Sequence, residues 1–292
     1  MSSTKTPTTR TTKDDALEMI RAGVANLLTS DGWKEALAFR QKFHHYSLFN
    51  GLLIRSQRPQ ATLVAGYRAW LERGRQVQKG EVGIRILSPM TRRDADTDEQ
   101  RVIGFRFVSV FDVEQTKGDP IPDTVRPQLL SGDSDEIQAL TQRLEVHLRE
   151  RGVSVERADD LHGANGTFTP GENAIRVLGS LPPMQALKTL AHEAAHFELG
   201  HTGSVDVSAR AFGELEAETT AYLVLHEFGL DASEYTFAYL AHWTLDQDLD
   251  AVIKAGDRAV RVAKRLCDAI RPVAPEEAPA TPTVASALAV AA

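Results

Sequence analysis

The most chemically informative segment of the chain is residues 192–196, which read His-Glu-Ala-Ala-His. Side chains four positions apart project from one face of an α-helix, so His192 and His196 can offer ring nitrogens to a single divalent ion. Glu193 lies beside that face, where its carboxylate can take a proton from water that the ion activates. The spacing predicts a hydrolytic metal site with Glu193 as its acid or base. The alternative is a pair of core histidines satisfied by hydrogen bonds.

A third ligand does not follow directly after this motif. In one large class of zinc hydrolases the pattern extends to H-E-x-x-H-x-x-G-x-x-H. Here the glycine position holds Leu199 and the last histidine position holds Thr202, so Gly200 and His201 are out of register. The sequence therefore disfavours that class and points to the next helix for the third ligand.

Three glutamates open that next helix, at positions 214, 216 and 218. Glu214 and Glu218 are four residues apart and share a face, while Glu216 points elsewhere. We expect Glu214 to be the third metal ligand and Glu218 to accept a hydrogen bond that orients a histidine ring. Which of these two glutamates binds the metal stays open at this stage, as does a solvated acidic face without metal.

The elements that must position this site form a mixed α+β pattern. We predict a small sheet packed on helices, one of which carries the His-Glu-Ala-Ala-His motif, and this is a zincin-like arrangement. The predicted helices cover residues 134–151, 184–199, 209–228, 234–242 and 249–270, and the predicted strands cover residues 153–156 and 174–178.

The first half of the chain has the opposite charge. Residues 33–90 contain 10 Lys or Arg and 3 Glu, a balance of +7, whereas residues 131–272 contain 13 basic and 23 acidic side chains, a balance of −10. Aromatic residues are interleaved with the basic ones, as in proteins that stack rings on bases and place cations along phosphates. The sequence therefore predicts a domain that binds single-stranded DNA, although some of these rings must fill a core. The candidate DNA-binding residues are Tyr46, Arg55, Tyr67, Arg68, Trp70, Arg73, Arg75 and Lys79.

Local patterns in this half predict a helix over residues 33–48 and a short helix from residue 66 that stops at Gly74. A turn around Lys79-Gly80-Glu81 and two strands, up to Met90 and over Val102–Val113, then form a hairpin with a mobile tip at residues 91–100. The adjacent His44 and His45 point to different sides of a helix, so we do not expect them to share a metal.

Composition places limits on the whole chain. The 292 residues carry a formal net charge of −7 and one cysteine, Cys267, so no internal disulfide can form and a cytoplasmic location is expected. Neither end has a segment that could cross a membrane. We predict a disordered lead (residues 1–13), a DNA-binding domain (14–125), a zincin-like domain (126–272) and a flexible tail (273–292).

These segments resemble a known family. Residues 43–50, 65–70 and 74–84 look like the amino-terminal domain of ArdC-type antirestriction proteins, which is known in that family as a single-stranded-DNA binder. The later residues, with His192 to His196 and then Glu214, are similar to the metallopeptidase-like domain of those proteins, which is related to the ImmA/IrrE peptidases. The resemblance implies Zn2+ held by His192, His196 and Glu214, with Glu193 catalytic.

The favoured hypothesis is thus a DNA-associated zinc metallo-endopeptidase. It would bind single-stranded DNA through its first domain and hydrolyse peptide bonds with a zinc-activated water, in an antirestriction or mobile-element role. The peptide substrate is not identified by the sequence. One alternative is an ImmA/IrrE-like regulatory peptidase that cleaves a repressor. Another is a non-catalytic DNA-binding protein with a structural metal.

Overall fold

The computed structural model of the chain describes residues 13–23, 27–41, 43, 46–93, 100–120, 134–203, 206–231, 237, 240 and 245–272. Helices and small sheets alternate along these residues, so the α+β prediction is confirmed. No helix in this part of the chain combines the length and apolar character that crossing a membrane requires. His44 and His45, the hairpin tip at residues 94–99, and the predicted lead and tail (residues 1–12 and 273–292) lie outside the described residues.

Three helices open the first half: α1 (Lys13–Gly23), α2 (Ser30–Gln41) and α3 (Leu48–Gln57). The expectation of one helix over residues 33–48 was wrong, because α2 ends at Gln41 and α3 begins only at Leu48. Ser47 starts the new helix by accepting a hydrogen bond from the Asn50 backbone N–H at 3.2 Å. Helix α1 was not foreseen, although its apolar face is buried.

A three-stranded antiparallel sheet follows, in the order β1 (Val64–Gly66), β4 (Gln100–Asp112), β3 (Ile84–Arg93). The predicted hairpin is the β3–β4 pair. Helix α4 (Tyr67–Glu72) lies between β1 and β2 (Arg75–Val77), and β2 pairs with β5 (Thr116–Gly118) after a 3-10 turn. The predicted helix stop at Gly74 is confirmed, since this residue adopts a φ of 70°.

The second half contains a mixed sheet in the order β6 (Ser154–Ala158), β8 (Ala174–Leu178), β7 (Gly166–Thr169). This half has four helices, all predicted to within a few residues: α5 (Ser134–Glu150), α6 (Pro183–Leu199), α7 (Val207–Glu227) and α8 (Leu245–Ile270). Helices α5 and α6 pack on the sheet, and α7 and α8 pack on α6. Strand β7 was missed because it is only four residues long, with Phe168 as its one large apolar side chain, which is too short a pattern to distinguish a strand from a loop. Most of the helix predicted over residues 234–242 lies outside the described residues.

The two halves share one hydrophobic core. The buried indole N–H of Trp33 in α2 donates to Thr219 Oγ1 in α7 at 3.0 Å, and the backbone N–H of Leu48 donates to the Asp257 carboxylate of α8 at 2.6 Å. A methyl group on Gly256 would collide with Leu48 and with the Trp33 ring. The charge difference therefore does not separate the halves physically, and the boundary near residue 125 stays a prediction.

Candidate metal centre

Helix α6 presents the histidine pair. Pro182 caps its start and Pro183 occupies its first turn, where the missing N–H of a proline costs nothing. One face is buried in the core, through Leu187, Leu190 and Ala194 among others. The helix ends at Gly200, which has a left-handed conformation with a φ of 72°. The backbone N–H of His201 then reaches back to the carbonyl of His196 at 3.0 Å, so the chain folds over the last helical turn.

The three predicted metal ligands meet at one point. The Nε2 atoms of His192 and His196 are 3.0 Å apart. A carboxylate oxygen of Glu214, from α7, lies 3.5 Å from the first of these atoms and 3.8 Å from the second. A tetrahedral zinc ion with bonds of about 2.0–2.1 Å places its ligand atoms about 3.3 Å apart. The donor set and its spacing therefore fit a divalent ion.

Charges in the site shift the three candidate ligands in different directions: His196 and Glu214 toward their metal-binding forms, and His192 toward its protonated form. Burial, and then the neighbouring His192, lower the pKa of His196 to about 4, so this ring is neutral near pH 7. The hydrogen bond from His192 holds the pKa of Glu214 below its usual value despite partial burial. Burial opposes a charge on His192, but the hydrogen bond to Glu214 and the nearby carboxylates outweigh it and raise the pKa of His192.

Glu193 has a different environment from Glu214. Its side chain is buried, and this burial raises its pKa, while a hydrogen bond from the backbone N–H of Phe168 opposes the rise. Phe168 belongs to β7, which passes directly over α6. A methyl group on Gly166, the first residue of β7, would come within 3.1 Å of the Glu193 carboxylate. The missed strand β7 therefore covers the predicted acid or base.

Glu218 lies near the metal ligands without a hydrogen bond to either histidine ring. Burial raises its pKa and the charge of His192 lowers it, so the two residues are near each other. However, no hydrogen bond joins Glu218 to a histidine ring among the described residues. The partner of the His196 ring is instead His201, whose Nδ1 lies 2.8 Å from the Nδ1 of His196. The orienting role of Glu218 stays a prediction.

Sequence reasoning missed His201 and Glu216. Nε2 of His201 lies 2.8 Å from a carboxylate oxygen of Glu216. The signal was present in the Gly200-His201 pair, because a left-handed glycine after a helix folds the next residue back over the last turn. The sequence indicated that Glu216 points away from the face shared by Glu214 and Glu218, but it did not indicate that Glu216 contacts His201.

Four of the eight candidate DNA-binding residues need correction or a second role. Trp70 is fully buried, at 0% exposure, and its indole N–H donates to the Phe111 carbonyl at 2.8 Å, so its ring belongs to the core and is closed to a base. The Arg75 guanidinium is taken up by backbone carbonyls of residues 113–119. Arg55 forms an ion pair with Glu35. The Tyr46 hydroxyl donates to the Val64 carbonyl at 3.4 Å, and burial raises its pKa.

The other four candidates are exposed. Tyr67 is 46% exposed and contacts the edge of the Phe111 ring. Arg68, Arg73 and Lys79 are also exposed, although Arg73 donates to the carbonyl of Ala69. Tyr67 and Lys79 lie on an open cleft of about 740 Å3. Its lining residues are Tyr67, Gln76, Val77, Gln78, Lys79, Glu81, Phe111, Lys117 and Gly118. Lys117 was missed because it lies beyond the basic stretch.

Comparisons with known proteins agree with this architecture. Residues 10–117 match the family model described as the N-terminal domain of anti-restriction factor ArdC. A curated protein of Bacillus anthracis, the uncharacterized protein pXO2-81, is 24% identical over 277 residues, which cover 81% of this chain and 47% of the relative. The chain thus spans about half the length of that relative.

Two solved structures are also similar. The metal-free crystal structure of the antirestriction ArdC protein from plasmid R388 is 24% identical with a TM-score of 0.51, and the match covers 77% of this chain and 85% of that one. The Mn(II)-bound structure of the same protein is 19% identical with a TM-score of 0.49, over 82% and 99% of the two chains. Residues 10–117 thus match the N-terminal domain of ArdC in sequence, and the described part of the chain shares the fold of an ArdC antirestriction protein.

Proposed function

We propose that this protein is an ArdC-type antirestriction protein whose second half is a zinc-dependent peptidase. The observation that carries the proposal is the convergence of His192, His196 and Glu214 on one point, with the buried Glu193 next to it. Two imidazoles and one carboxylate are the ligand set of many catalytic zinc sites, in which a fourth position stays open. A bound ion would polarise a carbonyl group and acidify water at this position.

Glu193 would do the proton chemistry. Its raised pKa suits a group that must first accept a proton from the attacking water and then donate it to the leaving amine. The hydrogen bond from the Phe168 backbone holds the carboxylate in one orientation during both transfers. A structural metal site would have no use for a buried carboxylate beside its ligands, which favours catalysis over the non-catalytic alternative.

Strand β7 supports a peptide as the substrate. It pairs only with β8 among the described strands, so it is an edge of its sheet, and it lies against the helix that carries the histidines. An extended peptide can add to such an edge through main-chain hydrogen bonds. A peptide bound in this way would lie across Glu193.

The test is the Glu193→Gln variant, which keeps the size of the side chain and removes its base. A proteome-derived peptide library is incubated with the zinc-loaded full chain, and products are identified by mass spectrometry. We expect the variant to bind zinc normally and to cleave about 100- to 10,000-fold more slowly. Glu172→Gln is the matched control, since Glu172 is exposed and pairs with Arg176. Equal cleavage by parent and Glu193→Gln, or none by the parent, would refute the peptidase proposal.

We further propose that the cleft beside Tyr67 binds single-stranded DNA. An antirestriction role implies contact with DNA, and the cleft combines an exposed ring with Lys79 and Lys117. Each phosphate contact on a single strand contributes about 0.7 to the slope of log affinity against log salt concentration. The Lys79→Gln/Lys117→Gln double variant should therefore flatten this slope by about 1.4.

Two other exposed lysines provide the control for this experiment. Lys254 and Lys264, on α8, pair with aspartates four residues away. Their double replacement by Gln removes the same charge and should leave the slope unchanged. Equal slopes in both double variants would exclude the cleft as the DNA site.

A further inference from the structure

A chain of three polar side chains extends from the outer nitrogen of His196 to the protein surface. Nδ1 of His196 lies 2.8 Å from Nδ1 of His201. Nε2 of His201 lies 2.8 Å from one carboxylate oxygen of Glu216, and the other oxygen pairs with the Arg258 guanidinium at 3.0 Å. The proposed peptidase mechanism uses none of His201, Glu216 and Arg258, yet His201 contacts His196, one of the proposed metal ligands.

The proton positions in this chain follow from its two ends. Glu216 is 3% exposed and pairs with Arg258, so its carboxylate accepts hydrogen bonds. Nε2 of His201 must then carry a proton, and in the neutral imidazole this leaves Nδ1 of His201 as an acceptor. Nδ1 of His196 therefore donates, and the lone pair of His196 is on Nε2. This is the nitrogen that faces His192 and Glu214.

Three helices hold the chain in place. His201 follows α6, Glu216 is in α7 and Arg258 is in α8. Arg258 also donates to the carbonyl of Leu199 at 3.0 Å, near the end of α6. The left-handed Gly200 fixes the direction in which His201 returns. Such a chain differs from the usual arrangement, in which a carboxylate or carbonyl contacts the ligand histidine directly.

His201 is poorly placed to be a ligand itself. One of its ring nitrogens faces His196 and the other faces Glu216. Within the described residues, the group whose ligand atoms lie within 4.8 Å of one another contains His192, His196 and Glu214 only. A role behind the ligand accounts for both of its contacts.

We infer that His201 is a positioning residue, which, with Glu216 and Arg258 behind it, fixes the ring orientation and tautomer of His196 for metal binding. This inference rests on the proposed metal centre. Loss of an orienting partner of a ligand histidine lowers metal affinity by about 10- to 100-fold. The contribution of His201 would be to keep Nε2 of His196 free of a proton and aimed at the ion.

The experiment measures the zinc affinity of the full chain by competition with a chelating dye. His201→Ala should weaken binding by about 10- to 100-fold. His201→Asn should recover most of the loss, because its side-chain oxygen takes the place of the lost Nδ1 acceptor although it cannot reach Glu216. His162→Ala is the control, since that side chain is 96% exposed and distant in sequence, and it should bind zinc like the parent.

A second readout separates positioning from general support of the fold. In the zinc-loaded parent with 15N-labelled histidine, NMR should find the proton of His196 on Nδ1 and that of His201 on Nε2. A proton on Nδ1 of His201 would overturn the inference. If His201→Ala does not fold, the zinc affinity of His201→Asn and the tautomers found by NMR in the parent test the inference.

The outcomes also separate this inference from the proposed function. A parent that binds no zinc removes the metal centre and the inference together. A parent that binds zinc, with His201→Ala equally tight, refutes the inference and leaves the metal centre intact. Weakened binding that Asn restores supports both.

Discussion

A metal centre and a DNA-binding surface were both expected from the sequence, and they differ in how many of the expected residues the structure brings together. All three expected ligands meet within 4.8 Å of one another. Of the expected DNA-binding residues, only Tyr67 and Lys79 line the cleft, and Trp70 is in the core. The metal site was predicted from a spacing on a helix, which fixes directions. The DNA site was predicted from composition, which does not say which face a ring occupies.

The largest effect on metal binding should come from removing Glu214. Structural zinc sites bind with about 10–16 kcal/mol in total, so one ligand of several contributes about 3 kcal/mol, or about 100-fold in affinity. Glu214→Ala should lose zinc to that extent in a chelator competition. Glu218→Ala is the matched control, one turn along α7, and it should bind within about tenfold of the parent. A larger loss of zinc affinity in Glu218→Ala than in Glu214→Ala would identify Glu218 as the ligand and contradict the assignment made from the spacing of the glutamates.

The next prediction compares two aromatic residues of α4, Trp70 and Tyr67. Trp70→Ala should lower the free energy of unfolding by about 3–5 kcal/mol, because it empties a buried site and leaves the Phe111 carbonyl without its donor. Tyr67→Ala should change stability little but weaken single-stranded DNA binding by about 1–3 kcal/mol, the value of one stacked base. Urea unfolding and DNA titration of both variants test this. A stable Trp70→Ala protein with weakened DNA binding would restore the compositional prediction.

The smallest effect concerns the contact between α3 in the first half and α8 in the second half. Asp257 in α8 accepts the backbone N–H of Leu48 at the start of α3. Asp257→Ala should cost about 1–2 kcal/mol by leaving that donor unpaired, and Asp257→Asn should cost less, since its oxygen can still accept. Chemical unfolding of the two variants measures the difference, and equal losses would show that the charge matters more than the hydrogen bond.

Asp257 also gives this contact a pH dependence. Burial raises its pKa above 3.8 in the native state, so the folded protein binds the proton more tightly than the unfolded chain. The contribution of Asp257 to stability should therefore fall as the pH rises through the window just above 3.8. Asp257→Asn should remove this component from the pH profile of unfolding. An unchanged profile would contradict the assignment.

Much of the fold could be read from apolar periodicity, and the failures have local causes. Helices α5 to α8 were found because their buried residues recur at helical spacing. The start of α3 was missed because the apolar spacing continues to Leu48, whereas the Ser47 hydroxyl caps a new helix there. Strand β7 was missed because its four residues carry only one large apolar side chain, Phe168. The cap at Ser47 is local, since its partner Asn50 is three residues away, whereas β7 is defined by its pairing with β8, which a local pattern does not reveal.

The same limit applies to the candidate site. His192, His196 and Glu214 could be named because helical geometry is local. His201 could not be assigned, since its role depends on the turn at Gly200 and on Glu216 from the next helix. The role of Arg75, in the first half, also could not be assigned from the sequence. Its charge suggested DNA, and only the fold shows that its donors are used by the chain around residues 113–119.

Gly256 has a practical consequence for studying this protein. Its bare backbone is where Leu48 and the Trp33 ring rest on α8. Cutting the chain between its halves would remove the Trp33 ring from this contact and expose an apolar surface along α8. The two fragments should therefore aggregate and would not report on separate proposed activities. The two proposed activities should therefore be tested with single substitutions in the intact polypeptide.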